Sequence, residues 1–111
     1  MERGSVYWVR LPARSPQGSE IAKSRPCVVM SATALNKARI TVLAIPLSTQ
    51  TREYPPISVR LASTGENSVA ICDQLAAIDK RRFGDLVCKL TDEEMDKLVR
   101  SLRQIMELET A

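Results

Sequence analysis

Histidine is absent from this 111-residue sequence. That absence removes the Ser-His-Asp and Cys-His nucleophile schemes, and the two-histidine scheme of phosphodiester cleavage with them. Any catalysis must draw on Arg, Lys, carboxylates or hydroxyls. Aromatic residues are scarce, with one Trp, two Tyr and one Phe, so aliphatic side chains must build the core. No apolar run approaches the roughly 20 residues needed to span a bilayer. The opening Met1-Glu2-Arg3-Gly4 lacks the basic-then-apolar layout of a signal peptide. A cytoplasmic location without membrane attachment is expected. Cysteine occurs only at Cys27, Cys72 and Cys88, an odd number, far apart, each beside aliphatic residues. With no close pair and no histidine, neither a zinc site nor any other metal or cofactor is expected. Three buried, reduced thiols are expected instead.

The length favours a single domain over residues 1–111 with one modest core. Hydrophobic residues at 44% and charged residues at 26% give a globular balance. Acids are rare in the first half. Residues 1–60 carry nine basic and three acidic residues, a net of +6, whereas residues 61–111 carry seven basic and ten acidic, a net of −3. A basic front half suits a polyanion or an acidic protein partner. Ordinary surface charge gives the same count.

Ser5 to Leu11 reads as a strand. Pro12 to Ser24 reads as a long polar loop, of a length that is often functional in a compact domain. Arg25 to Met30 and Ile40 to Ile45 read as buried strands, the second ending at Pro46, with a turn over Asn36 to Arg39. A second polar loop runs from Ser48 to Pro56. Ile57 to Leu61 and Ser68 to Cys72 read as paired strands across a Ser63-Thr64-Gly65 turn. Gln74 to Ile78 continues the sheet, Asp79 to Arg82 turns, and Asp85 to Leu90 is the last strand. Thr91 and Glu94 fit a capping box at a helix start. Met95, Leu98, Leu102, Ile105 and Met106 then recur at helical spacing. The expected fold class is mainly β with α: a small barrel with a C-terminal helix.

Three clusters carry candidate chemistry. Gly18-Ser19-Glu20 lies in the long loop, and Arg25-Pro26 opens the next strand. A guanidinium at that junction presents a planar fork of donors to a phosphate, or is a surface arginine paired with a carboxylate. Ser48-Thr49-Gln50 follows a strand end, where hydroxyls either bind a phosphate oxygen or cap a turn. Asp73-Gln74 and Asp79-Lys80-Arg81-Arg82 offer contacts to a nucleic-acid backbone or a solvated turn. Tyr7 and Trp8 alternate sides of the first strand, so one enters the core and the other is free to stack on a base.

Taken in order, these pieces resemble the MazF/PemK toxin family. The matching segments are Arg3-Gly4-x-Val6-Tyr7-Trp8-Val9, Gly18-Ser19-Glu20, Arg25-Pro26-x-Val28-Val29 and Pro46-Leu47-Ser48-Thr49-Gln50. Val69-x-Ile71-x-Asp73-Gln74, Ile78-Asp79-Lys80-Arg81-Arg82 and the closing helix complete them. Ser5 stands where the family usually has Asp, and Ser48 where it often has Thr. The resemblance implies an SH3-like small β-barrel (CcdB/MazF-like) working as a homodimer. It implies metal-independent, sequence-specific cleavage of single-stranded RNA, and a cognate antitoxin whose acidic tail covers the RNA groove. It places Arg25 and Ser48 as the catalytic pair, with Thr49 beside them, and Glu20 in the active-site loop. Contacts to RNA are expected from Ser19, Lys23, Thr49, Gln50, Arg52, Gln74 and Arg81. The chemistry expected is attack by the ribose 2′-OH on the adjacent phosphate, giving a 2′,3′-cyclic phosphate and a 5′-OH. A same-fold toxin that inhibits a protein such as DNA gyrase and a noncatalytic SH3-like binding module are the competing functions.

Overall fold

The computed structural model describes residues 1–11 and 23–108. Most of the expected long loop, with Gly18, Ser19 and Glu20, lies outside the described residues. The strands are β1 (Ser5–Arg10), β2 (Ser24–Val29), β3 (Thr41–Ser48), β4 (Ser58–Arg60), β5 (Val69–Ile71), β6 (Ala76–Asp79) and β7 (Phe83–Lys89). They join in the order β4-β5-β3-β2-β1-β7, with β6 pairing the first half of β3 on the side where β5 pairs its end. Every strand pairing is antiparallel.

Alternation along the strands sorts side chains onto two faces. Val6, Val28 and Ile45 stand side by side in register across β1, β2 and β3. They join Leu47, Val59, Leu61, Leu90 and Leu98 in the larger core. Val9, Cys27, Ala44 and Ile78 fill the opposite face with Tyr7 and Phe83. The larger core unites Val6 of β1, Val59 of the edge strand β4 and Leu90 just past β7. The sheet must therefore curl around one centre. The two edges, β4 and β7, do not pair among the described residues, so the barrel is an open one.

Helix α2 (Asp92–Ile105) closes one side. Its capping box forms as the sequence predicts, with Glu94 N–H donating to Thr91 Oγ1 and Thr91 N–H to Glu94 Oε1. Met95 and Leu98 bury, and Leu102 and Ile105 pack partly against the same core. Burying a leucine such as Leu98 contributes about 1.5–3 kcal/mol. Met106, expected in this stripe, falls beyond the helix and is 55% exposed.

Several local expectations are corrected. The turn over Asn36 to Arg39 belongs to a short helix, α1 (Thr33–Ala38). Asn36 looks like a turn residue in sequence. It is instead buried, and its Nδ2 donates to the carbonyls of Met1 and Ser31, each at 3.0 Å. Strand β3 does not stop at Pro46 but runs on to Ser48. Met30 N–H bonds Leu43 C=O in the β2–β3 ladder, so by the two-residue period Pro46 turns its nitrogen away from β2. On that other side β6 pairs only as far as Ala44 and β5 begins at Leu47. Pro46 sits in the gap, where a missing N–H breaks no bond. Strand β7 starts at Phe83 rather than Asp85, because Phe83 pairs with Val9 and packs edge-on against Tyr7 at 5.9 Å. Cys72–Gln74 is a 3-10 turn, so β6 starts two residues later than predicted, at Ala76.

All three cysteines are free thiols. Cys27 and Cys72 are buried as expected, whereas Cys88 is only half-buried. Burial pushes Cys27 up to about 12 against the opposing charge of Arg25, and pushes Cys72 up to about 11. These two are inert packing residues at neutral pH.

Gly4 adopts a left-handed φ of 91°, and a Cβ there would lie 3.6 Å from the Met95 side chain. Its N–H bonds Val29 C=O at 2.8 Å, and its C=O takes Leu90 N–H at 2.9 Å. Gly4→Ala is expected to cost about 1–2 kcal/mol, from backbone strain alone. Urea unfolding of the two proteins measures this directly.

Candidate functional site

A cleft of about 410 Å³ opens where β2 begins and β3 ends. Lys23 to Pro26 line it from the start of β2, and Leu47 to Gln50 from the end of β3. Trp8 of β1, Val87 of β7, and Thr64 and Ser68 of the β4–β5 connection complete it. The antiparallel registers bring these segments together: Trp8 stands opposite Pro26, and Ser48 opposite Val69.

Arg25 is half-buried on a strand rather than carried on a loop. Among the described residues the ion pairs are Arg81–Asp79 and Lys89–Glu2, so no described carboxylate neutralises Arg25. Among the described residues the cleft is lined by two cations, Lys23 and Arg25, and by no acid. Such a surface receives an anion, and the guanidinium offers it a planar array of donors.

Ser48 is 6% exposed. Its Oγ accepts the Gln50 N–H at 3.0 Å and the Thr51 hydroxyl at 3.2 Å. Both bonds point inward to the oxygen, which leaves the Ser48 proton to donate to a ligand oxygen. The same bonds turn the chain at the end of β3 and fix the hydroxyl in place. Thr49 stands beside it, exposed, in the bend. Trp8 is the outward member of the aromatic pair, 46% exposed in the cleft, while Tyr7 packs on Phe83.

The fold thus gathers Lys23, Arg25, Ser48, Thr49 and Gln50 of the predicted site. Arg52 lines an adjoining cleft instead. Gln74 is the exposed last residue of the 3-10 turn after β5 and does not line the cleft. Arg81 is also elsewhere. It forks onto Asp79 through Nε at 3.1 Å and Nη2 at 2.9 Å, and that hydrogen-bonded guanidinium holds the Asp79 carboxyl down at about 2. Ser19 and Glu20 fall outside the described residues. Thr64 and Ser68 are cleft residues that the sequence did not single out. They read as turn chemistry, and only strand pairing carries them here. Thr64 donates its hydroxyl to Ser68 Oγ at 2.7 Å along the cleft wall. Among the described residues, no three side chains of metal-ligating type converge. No helix among them is long and apolar enough to cross a membrane.

The chain is 34% identical over 83 residues to the endoribonuclease toxin MazF of Escherichia coli K12, covering 75% of this chain and 72% of that protein. It is 29% identical over 109 residues to the endoribonuclease EndoA of Bacillus subtilis 168, covering 93% and 91%. Among solved structures, a MazE–MazF crystal structure from Deinococcus radiodurans superposes with a TM-score of 0.83 at 21% identity, over 98% of this chain and 97% of the other. An endoribonuclease from a mycobacterial species gives 0.80 at 24% identity, over 100% and 95%. The expected barrel with a terminal helix is therefore the fold of these proteins. With a family match running over residues 2–106, the chain belongs to the PemK-like, MazF-like toxins of type II toxin–antitoxin systems.

Proposed function

We propose that this protein is an endoribonuclease toxin, acting as one domain over residues 1–111, that cuts single-stranded RNA in the Arg25–Ser48 cleft. The observation that carries this reading is a strand-mounted guanidinium with no described acidic partner, beside a fixed hydroxyl, in a cleft whose described lining holds two cations and no carboxylate. The curated relatives named as endoribonucleases support it.

In this scheme the ribose 2′-oxygen attacks the adjacent phosphorus. The new O2′–P bond forms as the P–O5′ bond breaks, leaving a 2′,3′-cyclic phosphate and a 5′-OH. The nucleophile is part of the substrate, so no metal is required to generate one. Arg25 stabilises the charge that builds on the phosphoryl oxygens, as oxyanion-hole donors do. Ser48 donates its proton to a nonbridging oxygen. A guanidinium holds its proton too firmly to serve as the base. Glu20 is proposed to take the 2′-OH proton, which returns to the departing 5′-oxygen through solvent. Trp8 offers an apolar face on which an unpaired base stacks. A homodimer and an antitoxin with an acidic tail, drawn to the same cationic cleft, complete the proposal.

The test is incubation of the purified protein with an unstructured transcript in EDTA, followed by mapping of the fragment 5′ ends. Cuts at a recurrent short sequence with 5′-OH ends are expected. Cleavage is also expected to weaken steeply with salt, because phosphate contacts release counterions. Intact transcripts across buffers would leave a gyrase-type inhibitor or a noncatalytic binding module.

A further inference from the structure

A second cleft, of about 360 Å³, adjoins the first and shares Thr49 and Gln50 with it. Its far wall holds Arg52, Arg60 and Asn67, none of which lines the first cleft. The wall is rigid. Arg60 lies on β4, paired with Val69 of β5. Arg52 is tied to the same strand through Ser58, whose hydroxyl donates to the Arg52 carbonyl at 2.7 Å and accepts the Tyr54 N–H at 2.8 Å. Among the described residues the one acid in this cleft is Glu53, which accepts the backbone N–H of Arg60 at 2.8 Å. It forms no ion pair with a described residue, and no described carboxylate neutralises either guanidinium by contact. Asn67 is exposed in the β4–β5 connection, and its amide carries both a donor and an acceptor.

We infer that Arg60 and Asn67, with Arg52, form a flanking-nucleotide subsite. Arg60 takes a backbone phosphate beyond the scissile one, and Asn67 takes the edge of an unpaired base. The inference rests on the ribonuclease reading above. A strand seated over Arg25 and continuing across the Thr49–Gln50 shelf enters this second cleft. Paired guanidiniums suit a phosphate, and an amide suits the base edges that only single strands expose. The groups that hold the flanking nucleotide are separate from those that break the bond. They act on affinity and sequence preference, not on the chemical step.

The test compares two synthetic RNAs carrying the mapped cut sequence, one of about five nucleotides and one of about twelve. With Arg60→Gln, KM for the longer RNA is expected to rise about tenfold at unchanged kcat, and the slope of log affinity against log salt to fall by about 0.7, one single-strand phosphate contact. The loss is confined to the longer RNA. Arg60→Lys restores most of the salt slope, because it restores the charge. Asn67→Ala, at an exposed position, relaxes base preference at one flanking position. An Arg60→Gln protein with wild-type KM on the longer RNA, or with equal losses on both lengths, overturns the subsite while leaving the nuclease reading intact. A wild-type protein that cuts neither RNA overturns both.

Discussion

Replacing Arg25 with alanine is expected to lower kcat/KM for RNA cleavage by about a hundred- to a thousand-fold, the usual loss when one preorganised donor to a developing oxyanion is removed. The fold should survive. Arg25 lies at the second position of β2, only half-buried, and no described residue pairs with its charge. The stability change is therefore expected to stay within about 1 kcal/mol, so thermal unfolding separates a catalytic loss from a structural one. Arg25→Lys should restore little activity, because an ammonium cannot match the two-pronged geometry of a guanidinium on a phosphate. Replacing the reacting 2′-OH with hydrogen should abolish cutting by the wild-type protein, since that oxygen is the nucleophile. Arg25→Ala cutting at the wild-type rate, or cleavage of the 2′-deoxy substrate, would remove the mechanism.

Features governed by neighbours in the chain were readable from sequence. The capping box at Thr91 and Glu94 needs only a three-residue spacing, and it forms as read. The β1 strand and the Ile57–Leu61 and Ser68–Cys72 pair follow from alternation and an intervening turn, and the structure trims them by only one residue or so at their ends. Pro46 misled because proline normally ends a strand. Whether it does depends on which partners flank it, and that is a long-range fact. Asn36 misled for the same reason, since its amide is satisfied by Met1 and Ser31. Arg25 and Ser48 were singled out through motif order, because each alone matches ordinary surface or turn chemistry. Arg81 belongs to a basic triplet that the sequence leaves between a nucleic-acid contact and a solvated turn, and a carboxylate two residues away holds its guanidinium apart from the Arg25 cleft. Thr64 and Ser68 were invisible as cleft residues, because no local pattern says that the β4–β5 connection turns toward the start of β2.

Glu94 has a second task that the capping box conceals, and it makes the largest stability prediction. The carboxylate caps α2 and also binds the β4–β5 connection. Oε1 accepts the Thr91 N–H, Oε2 accepts the Ser63 N–H at 3.0 Å, and the Ser63 hydroxyl donates to Oε1. The helix end is thereby fastened to the turn whose next residue, Thr64, lines the cleft. Burial pushes the Glu94 carboxyl up, but the hydrogen bonds from Ser63 and Thr91 outweigh it and hold the group below its ordinary value of 4.5. The lowered folded-state value sets the sign. The ionised carboxylate contributes its full stabilisation above the unfolded value, and that contribution is lost as pH falls below about 4.5 and through the folded value. Glu94→Ala keeps the Thr91 N-cap bond but removes the side-chain half of the capping box and strands the Thr91 and Ser63 donors, at about 3 kcal/mol for the lost charge-assisted bonds. A domain of this size then loses on the order of 10–20 °C in Tm. Glu94→Gln tests the charge specifically. Each carboxylate oxygen accepts a backbone N–H, so an amide must turn its NH₂ toward one of those donors, as a protonated acid turns its O–H. The glutamine variant should lose most of the same stability at neutral pH, and its stability should flatten below about pH 4.5, where the wild type declines. Parallel pH profiles for the two proteins would show that another group controls the acid limb.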